Sequence, residues 1–462
     1  MSTPTEPAAF DAAQEYTGRY LVMMPASKTS DKQVNAFQKA TGLSMMRSSD
    51  FKDSVISSTD FEKQPAIYLE EIGVAVVNAR PQQLQALSVS ADASDEPYLV
   101  EPERVVRALS SSDYLNGFKD AVDILAQKVG QFGTDTTTSF DGVATEAVGS
   151  TWGLQQTNVV HSNRFRVFTG KGIKVAVLDT GMDVGHPDFA GRTIVTASFI
   201  QGQPVQDGHG HGTHCIGSAC GPLNPTDPAR PRYGIAYEAT IFAGKVLSNA
   251  GSGSDSGILA GINWALANKC EIISMSLGAG TSQAGYSQIF ENVAADVLAK
   301  GTLIVAAAGN DSDRPGLIRP VSHPANCPSI MAVGAVDNMG KVARFSNRGI
   351  YAPYGNVDIA GPGVGVFSST KRPELYATWS GTSMATPHVA GIAALYAQQS
   401  KRNRGFALWK KLLSTAKPLQ EPTVDVGAGL VQAPLVLALI PFPPKHVTSD
   451  VAQSDHKVKE SV

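Results

Sequence analysis

The sequence predicts an α/β protein built on a mostly parallel sheet with helices on both faces, preceded by a small α+β region. Three observations carry this prediction. Runs such as "IKVAVLD", "ATIFAGKVL", "EIISMSLG", "GTLIVAAAGN" and "SIMAVGAVD" are apolar at nearly every position, as strands buried on both faces must be. Helical stretches such as "GILAGINWALANK" separate them, so successive strands are joined by crossovers and run parallel. The 44 glycines sit beside these runs rather than in low-complexity tracts, which suits tight connections between strands and helices.

A chain of 462 residues, 42% of them hydrophobic, can build two or three domains with real cores. Its net charge of −3 lacks the dense basic surface that nucleic-acid binding needs. Residues 1–16 read as a tail. In residues 17–109, "RYLVMMP" reads as a strand and "SDKQVNAFQKATG" as a helix capped by Ser30 and stopped at Gly42. "AIYLEEIGVAVVNA" supplies two strands, "RPQQLQALSVSA" a second helix and "PYLVEPERVVRAL" a last strand, in the β-α-β-β-α-β order of a ferredoxin-like α+β domain.

Residues 110–150 read as a connector. Leu115, Phe118, Val122, Leu125 and Val129 share one helical stripe, expected as core or docking surface and not as a membrane anchor. "FGTDTTTSFDGVATEAVGS" follows as a flexible, protease-accessible segment. The buried strands fill 151–437, and 438–462 is a polar tail. The N-terminus lacks the basic start and apolar run of a secretory leader, so the chain is expected to be cytoplasmic or exported without a recognisable leader. "GLVQAPLVLALIPFPP" is too short and too proline-broken to span a bilayer, so no membrane partner is expected. The four cysteines, Cys215, Cys220, Cys270 and Cys327, form no C-x-x-C pair and are expected as buried free thiols.

Chemistry concentrates at strand ends. Asp179 closes "VAVLD", at the carboxyl end of a buried strand, where open parallel sheets place their ligands. His211 lies in "DGHGHGTHC", at the start of the next helix, and Ser383 lies in "GTSMATPHVAG", at the start of another. Pro387 is expected near that helix's first turn, where its missing N–H costs little. A serine hydroxyl needs a base to become nucleophilic, histidine suits that task, and a carboxylate can fix its tautomer. Asn310, ending "LIVAAAGN", offers an amide for a developing oxyanion, alongside free N–H groups at the helix start. Asp183 and Asp207 compete with Asp179, but both sit in turn-like stretches where solvation is expected.

"VAVLDTGMD", "HGTHCIG", "AAAGN" and "GTSMATPHVAG", in this order over roughly residues 150–435, resemble the subtilisin-like serine peptidases, or subtilases. The resemblance implies a serine endopeptidase of broad specificity with Asp179 as orienting carboxylate, His211 as general base and acid, and Ser383 as nucleophile. It implies Asn310 as an oxyanion donor, with Ser276, Leu277 and Gly278 pairing one side of an extended peptide and Gly251, Ser252 and Gly253 flanking the other. Ala307, Ala308 and Gly309 would wall the pocket for the residue before the scissile bond, with Asp311 and Ser322 near its rim and base. The N-terminal domain resembles the propeptides of this family, which inhibit and are cut away. Peptides or proteins are thus the expected partners, with the chain's own N-terminal domain as an intramolecular inhibitor of a monomeric enzyme.

No cofactor is expected for catalysis, and no metal ligands are assigned. Structural calcium is common in the family, and Asn224 or Asp227 in "CGPLNPTDPARPRYG" are candidate ligands beside a plain solvated turn. The three histidines His209, His211 and His214 also suggest a zinc site, but the later His323 and His388 belong to other motifs and zinc would not need "GTSMATPH". Asn310-Asp311-Ser312 matches a glycosylation sequon that would obstruct the oxyanion site. A peptide ligase or macrocyclase on the same scaffold, and a catalytically silent peptide-binding relative, are the alternative readings.

Overall fold

A computed structural model describes residues 15–25, 30–51, 55–89, 98–109, 149–160, 168–281, 284–351 and 353–434. The predicted connector helix and the C-terminal tail lie outside these residues, as does most of the N-terminal tail.

The N-terminal region runs β1 (Tyr16–Met23), α1 (Ser30–Thr41), β2 (Met46–Arg47), α2 (Ser58–Lys63), β3 (Ala66–Leu69), β4 (Val74–Val77), α3 (Pro81–Val89) and β5 (Leu99–Ala108). The long middle segment is indeed two strands. β5, β1, β4 and β3 lie side by side in that order, all antiparallel, as the β-α-β-β-α-β reading requires. The structure adds β2 and α2, which are too short to show a hydrophobic period in sequence.

The larger region follows with α4 (Trp152–Gln156), β6 (Lys174–Asp179), β7 (Ile194–Ser198), α5 (His211–Cys220), β8 (Thr240–Lys245), β9 (Ser252–Ser254), α6 (Asp255–Ala267), β10 (Ile272–Met275), β11 (Leu277–Gly278), α7 (Gln288–Ala299) and β12 (Leu303–Ala307). It continues with β13 (Met331–Val336), β14 (Ile359–Pro362), β15 (Val366–Ser369), β16 (Tyr376–Trp379), α8 (Thr382–Gln399), α9 (Gly405–Thr415) and α10 (Thr423–Val426). Its main sheet has the order β14-β13-β12-β10-β6-β8-β7, and every neighbouring pair is parallel.

The two-residue side-chain period of a strand explains the apolar runs. In β6, Val175 and Val177 enter one core with Ile216 of α5 and Val389 of α8, while Ala176 and Leu178 enter the other with Ile258 of α6 and Phe290 of α7. The second core also takes Leu21, Ile67, Leu69, Val74, Val76 and Val106 from one face of the N-terminal sheet. That sheet's other face packs Val22, Tyr68 and Val77 against Phe37 of α1 and Leu87 of α3.

Polar contacts fasten the two regions at helix starts. Glu103 of β5 is fully buried; its carboxylate accepts from the Ser256 N–H at 2.9 Å, in the first turn of α6. The same carboxylate accepts from Arg19 Nε at 2.5 Å and from the Thr17 hydroxyl. Glu101 accepts from the Ile289 N–H at 3.1 Å and the Ser287 hydroxyl at 2.6 Å, at the start of α7. Carboxylates there satisfy orphan donors and oppose the helix dipole favourably.

Glu103→Ala would leave a buried guanidinium and a helix N–H without their acceptor. The expected cost is about 3–5 kcal/mol, read as a lower urea midpoint for the N-terminal region. An unchanged midpoint would refute this account of how the regions are fastened.

Candidate active site

The four motif residues converge where strand ends meet helix starts. Asp179 ends β6, and its Oδ1 lies 2.7 Å from His211 Nδ1 and accepts the Thr180 N–H at 2.7 Å. Both residues are fully buried. This pairing needs the start of α5 to press against the chain leaving β6. Gly210, just before the helix, has φ +105°, and a Cβ on Gly212 would fall 2.2 Å from the Gly181 carbonyl. Glycine at both positions lets the backbones meet.

Asp207 holds this helix start, and its burial corrects the expectation of a solvated turn residue. Only 2% exposed, it accepts from the His209, Gly210 and Thr213 N–H groups at 2.8–2.9 Å and from the hydroxyls of Thr213 and Thr180 at 2.8 and 3.0 Å. Asp183 is likewise buried, held by Arg372 through a paired guanidinium contact at 2.8–3.2 Å. Although burial opposes its charge, Arg372 and further donors lower its pKa to about 2. Arg372 reaches Asp183 from a distant segment, and Asp207 is buried because the following helix start folds its N–H groups onto the carboxylate and Thr180 covers it. Lys245, at the end of β8, is fully buried as well and donates to the Thr180 carbonyl and to Asn249 Oδ1.

Ser383 is the second residue of α8. Its Oγ donates to the Ser276 carbonyl at 3.3 Å, and His211 Nε2 has no hydrogen-bond partner among the described residues. Pro387 sits in the second turn of α8. Its missing N–H would have bonded the Ser383 carbonyl, four residues back. That carbonyl instead accepts from the Ser276 hydroxyl at 2.8 Å and the Cys215 thiol at 3.4 Å. Cys215 is thus packed under the site, its Sγ 4.0 Å from His211 Nδ1, and burial pushes its thiol pKa up.

Asn310 follows β12. Its Oδ1 accepts from the Thr382 N–H and hydroxyl at 2.9 and 2.8 Å, which turns Nδ2 to donate to the Leu109 carbonyl at 3.1 Å. Thr382 as the residue orienting Asn310 was not foreseen, though it stands beside Ser383 in its motif. Leu109 directly follows β5, and β5 runs between two segments expected to flank a peptide. Arg107 and Ala108 pair with Gly278 and Leu277 of β11, while Val105, Val106 and Arg107 pair with Ser254, Gly253 and Ser252 of β9. The Ala108 N–H also bonds the Gly251 carbonyl at 2.7 Å. Ala307, Ala308 and Gly309 are buried, and a Cβ on Gly309 would lie 2.3 Å from Ser322 Oγ. Asp311 accepts from Asn347 Nδ2 at 2.9 Å and from the Ser322 hydroxyl at 3.3 Å.

The three histidines part company. His209 stands edge-on to His211, with ring centroids 6.1 Å apart, whereas His214 stacks on Trp379 at 4.7 Å with Nε2 3.2 Å from the Val366 carbonyl. Among the described residues, the one metal-sized group is Asp179, His211 and Cys215, which takes only one of the three. Within it Asp179 Oδ1 and Cys215 Sγ both lie against His211 Nδ1, and the thiol also donates to the Ser383 carbonyl. In the proline-rich loop, the Asp227 carboxylate accepts the Ala229 N–H at 2.9 Å and Arg230 Nε at 3.0 Å, so it closes a turn.

The model described as the subtilase family matches residues 170–430, a span holding all four motifs. M-protease of Shouchella clausii (strain KSM-K16) is 38% identical over 292 residues, covering 63% of this chain and 70% of the relative. Subtilisin Savinase of Lederbergia lenta is 38% identical over 283 residues, covering 61% of this chain and 96% of that protein. Alkaline elastase YaB of Bacillus sp. (strain YaB) is 40% identical over 283 residues, covering 61% and 68%.

The electrostatics of His211 can be tested by histidine-labelled NMR titration. Burial opposes its charge, but the Asp179 carboxylate outweighs burial and raises its pKa well above the ordinary 6.5. His211 should therefore stay protonated above pH 6.5 in the full chain, and Asp179→Asn should lower its pKa by removing the carboxylate that chiefly opposes burial. His214 and His388, lowered by burial to about 3 and about 4, should remain neutral throughout. A His211 titration unmoved by Asp179→Asn would refute the pairing.

Proposed function

The chain belongs to the subtilase family and is a serine endopeptidase, and from that premise we propose that it hydrolyses peptide bonds through an acyl-enzyme on Ser383. In this reading Ser383 Oγ turns from the Ser276 carbonyl toward His211 Nε2, a single side-chain rotation. The neutral form of His211 takes the hydroxyl proton as the oxygen attacks and returns it to the leaving amine, while Asp179 fixes the tautomer and stabilises the imidazolium. Asn310 Nδ2 and the Ser383 N–H hold the oxyanion, the latter being an orphan donor at the start of α8. Water then releases the acyl group. Subtilisins need no cofactor for catalysis, and these residues supply base, nucleophile and oxyanion donors.

One observation carries the reading: the Leu109 carbonyl accepts from Asn310 Nδ2 at 3.1 Å, at the end of a segment paired on both sides. A substrate would lie as residues 105–109 lie, read mainly through its main chain, which favours broad specificity. Ala307, Ala308 and Gly309 would wall the pocket for its last acyl residue, with Ser322 and Asp311 at base and rim. Residues 17–109 then act as an intramolecular inhibitor of a catalytic domain spanning 151–437, and the bond after Leu109 is the maturation site. No observation favours a ligase or a silent binder.

Two experiments test this. Incubated alone, the full chain should release a fragment ending at Leu109, and Ser383→Ala should release none; equal cleavage in both, followed by mass spectrometry, would refute self-processing. In peptide-amide assays, Asn310→Ala should lower kcat about 10²–10³-fold, the cost already known for such a donor in subtilisin. A change below about twofold would remove Asn310 from the oxyanion site.

A further inference from the structure

Asp255 is the first residue of α6 and is fully buried, and its carboxylate has partners on both sides of the regional boundary. On one side, Oδ1 lies 3.0 Å from Nε2 of His323, whose ring packs edge-on against Phe290 with centroids 4.6 Å apart. On the other side, Oδ2 accepts the Arg104 N–H at 3.0 Å and lies 3.5 Å from Arg104 Nη1. Glu101 also lies 3.5 Å from that guanidinium, but it belongs to the N-terminal region.

The strand period fixes what this contact means. If the Leu109 carbonyl marks the bond to be cut, Val106 is the fourth residue before that bond and Arg104 the sixth. Alternate residues share a face. Val106 is buried in the apolar cluster with Ile258, Leu277 and Phe290, and Arg104 faces the same side with its side chain 15% exposed. Arg107 points the other way, its side chain 58% exposed. Removing β5 takes from Asp255 both the Arg104 N–H that it accepts and the guanidinium charge beside it, and leaves it with His323. A buried carboxylate that loses half its partners favours a ligand that restores them.

We propose that Asp255, oriented by His323, is a specificity-determining residue that selects a basic side chain, arginine above all, at the sixth residue before the cleaved bond. The proposal rests on the reading that substrate follows the path of β5. It sets a charge requirement beyond the stretch where main-chain pairing dominates, so that long substrates are discriminated where short ones are not.

Fluorogenic peptides separate the two readings. The full chain, after incubation, is given Arg-Val-Val-Arg-Ala-Leu, twins with lysine, norleucine or glutamate at the first position, and the short Val-Arg-Ala-Leu, each joined to a fluorogenic amine. In the unmodified chain, arginine should exceed norleucine in kcat/KM by about tenfold or more, as expected for a charge-assisted contact, with glutamate lowest. In Asp255→Asn the arginine-to-norleucine ratio should collapse toward one. Equal rates across the long series with Val-Arg-Ala-Leu cut normally would overturn this proposal alone, as would an arginine preference unchanged in Asp255→Asn. A chain that cuts none of the peptides overturns the peptidase reading and this one with it. The series on the unmodified chain decides the matter even if the variant does not fold.

Discussion

The site depends on the close approach of one helix start to one strand end. His211 can meet Asp179 only because α5 begins where β6 stops, with Gly210 taking the left-handed turn into the helix and no side chain at Gly212 to hold the backbones apart. That contact concentrates charge in a buried place: Asp179, Asp207 and Lys245 lie within one network, and each would be costly there alone. Asp207 makes the arrangement tolerable by accepting from three backbone N–H groups and two hydroxyls at the helix start. The imidazole therefore rests on a rigid frame rather than on its own side-chain torsions.

The second half of the site comes from the start of α8, which packs on the same face of the sheet as α5, and from the chain leaving β12. Ser383 is anchored through its carbonyl, which Pro387 releases from the helix ladder and which Ser276 and Cys215 then hold. Asn310 is anchored through its Oδ1 by Thr382. Each group proposed to act on substrate thus has its other hydrogen-bonding face committed to a neighbour, which fixes direction without further moving parts.

Much of this was legible in the sequence. Buried parallel strands announce themselves by unbroken apolar runs, and the ends of those strands located Asp179 and Asn310. Ser383 and His211 were legible as helix starts. Less legible were residues whose role depends on chain-distant partners. Asp207 and Asp183 look like solvated turn residues until Thr180 and Arg372 are brought to them. Pro387 was legible as a proline near a helix start, but only its place in the second turn of the assembled helix shows which carbonyl it frees. The last N-terminal strand was recognisable, but nothing local says that Val105 to Ala108 pair with Ser252 to Ser254 and Leu277 to Gly278. Register between segments far apart in sequence is a property of the assembled fold.

The double pairing of β5 also has a consequence for concentration. A strand that belongs to the same chain meets the cleft as an intramolecular ligand, at an effective concentration on the order of millimolar, which dilution cannot change. A free peptide must match that figure to displace it. Once the bond after Leu109 is cut, as proposed, the N-terminal region competes only at its own solution concentration. The opening of the cleft then becomes a matter of dilution and of any process that removes the freed region. A single covalent bond would separate a regime in which occupancy is constant from one in which it depends on how many molecules share the volume.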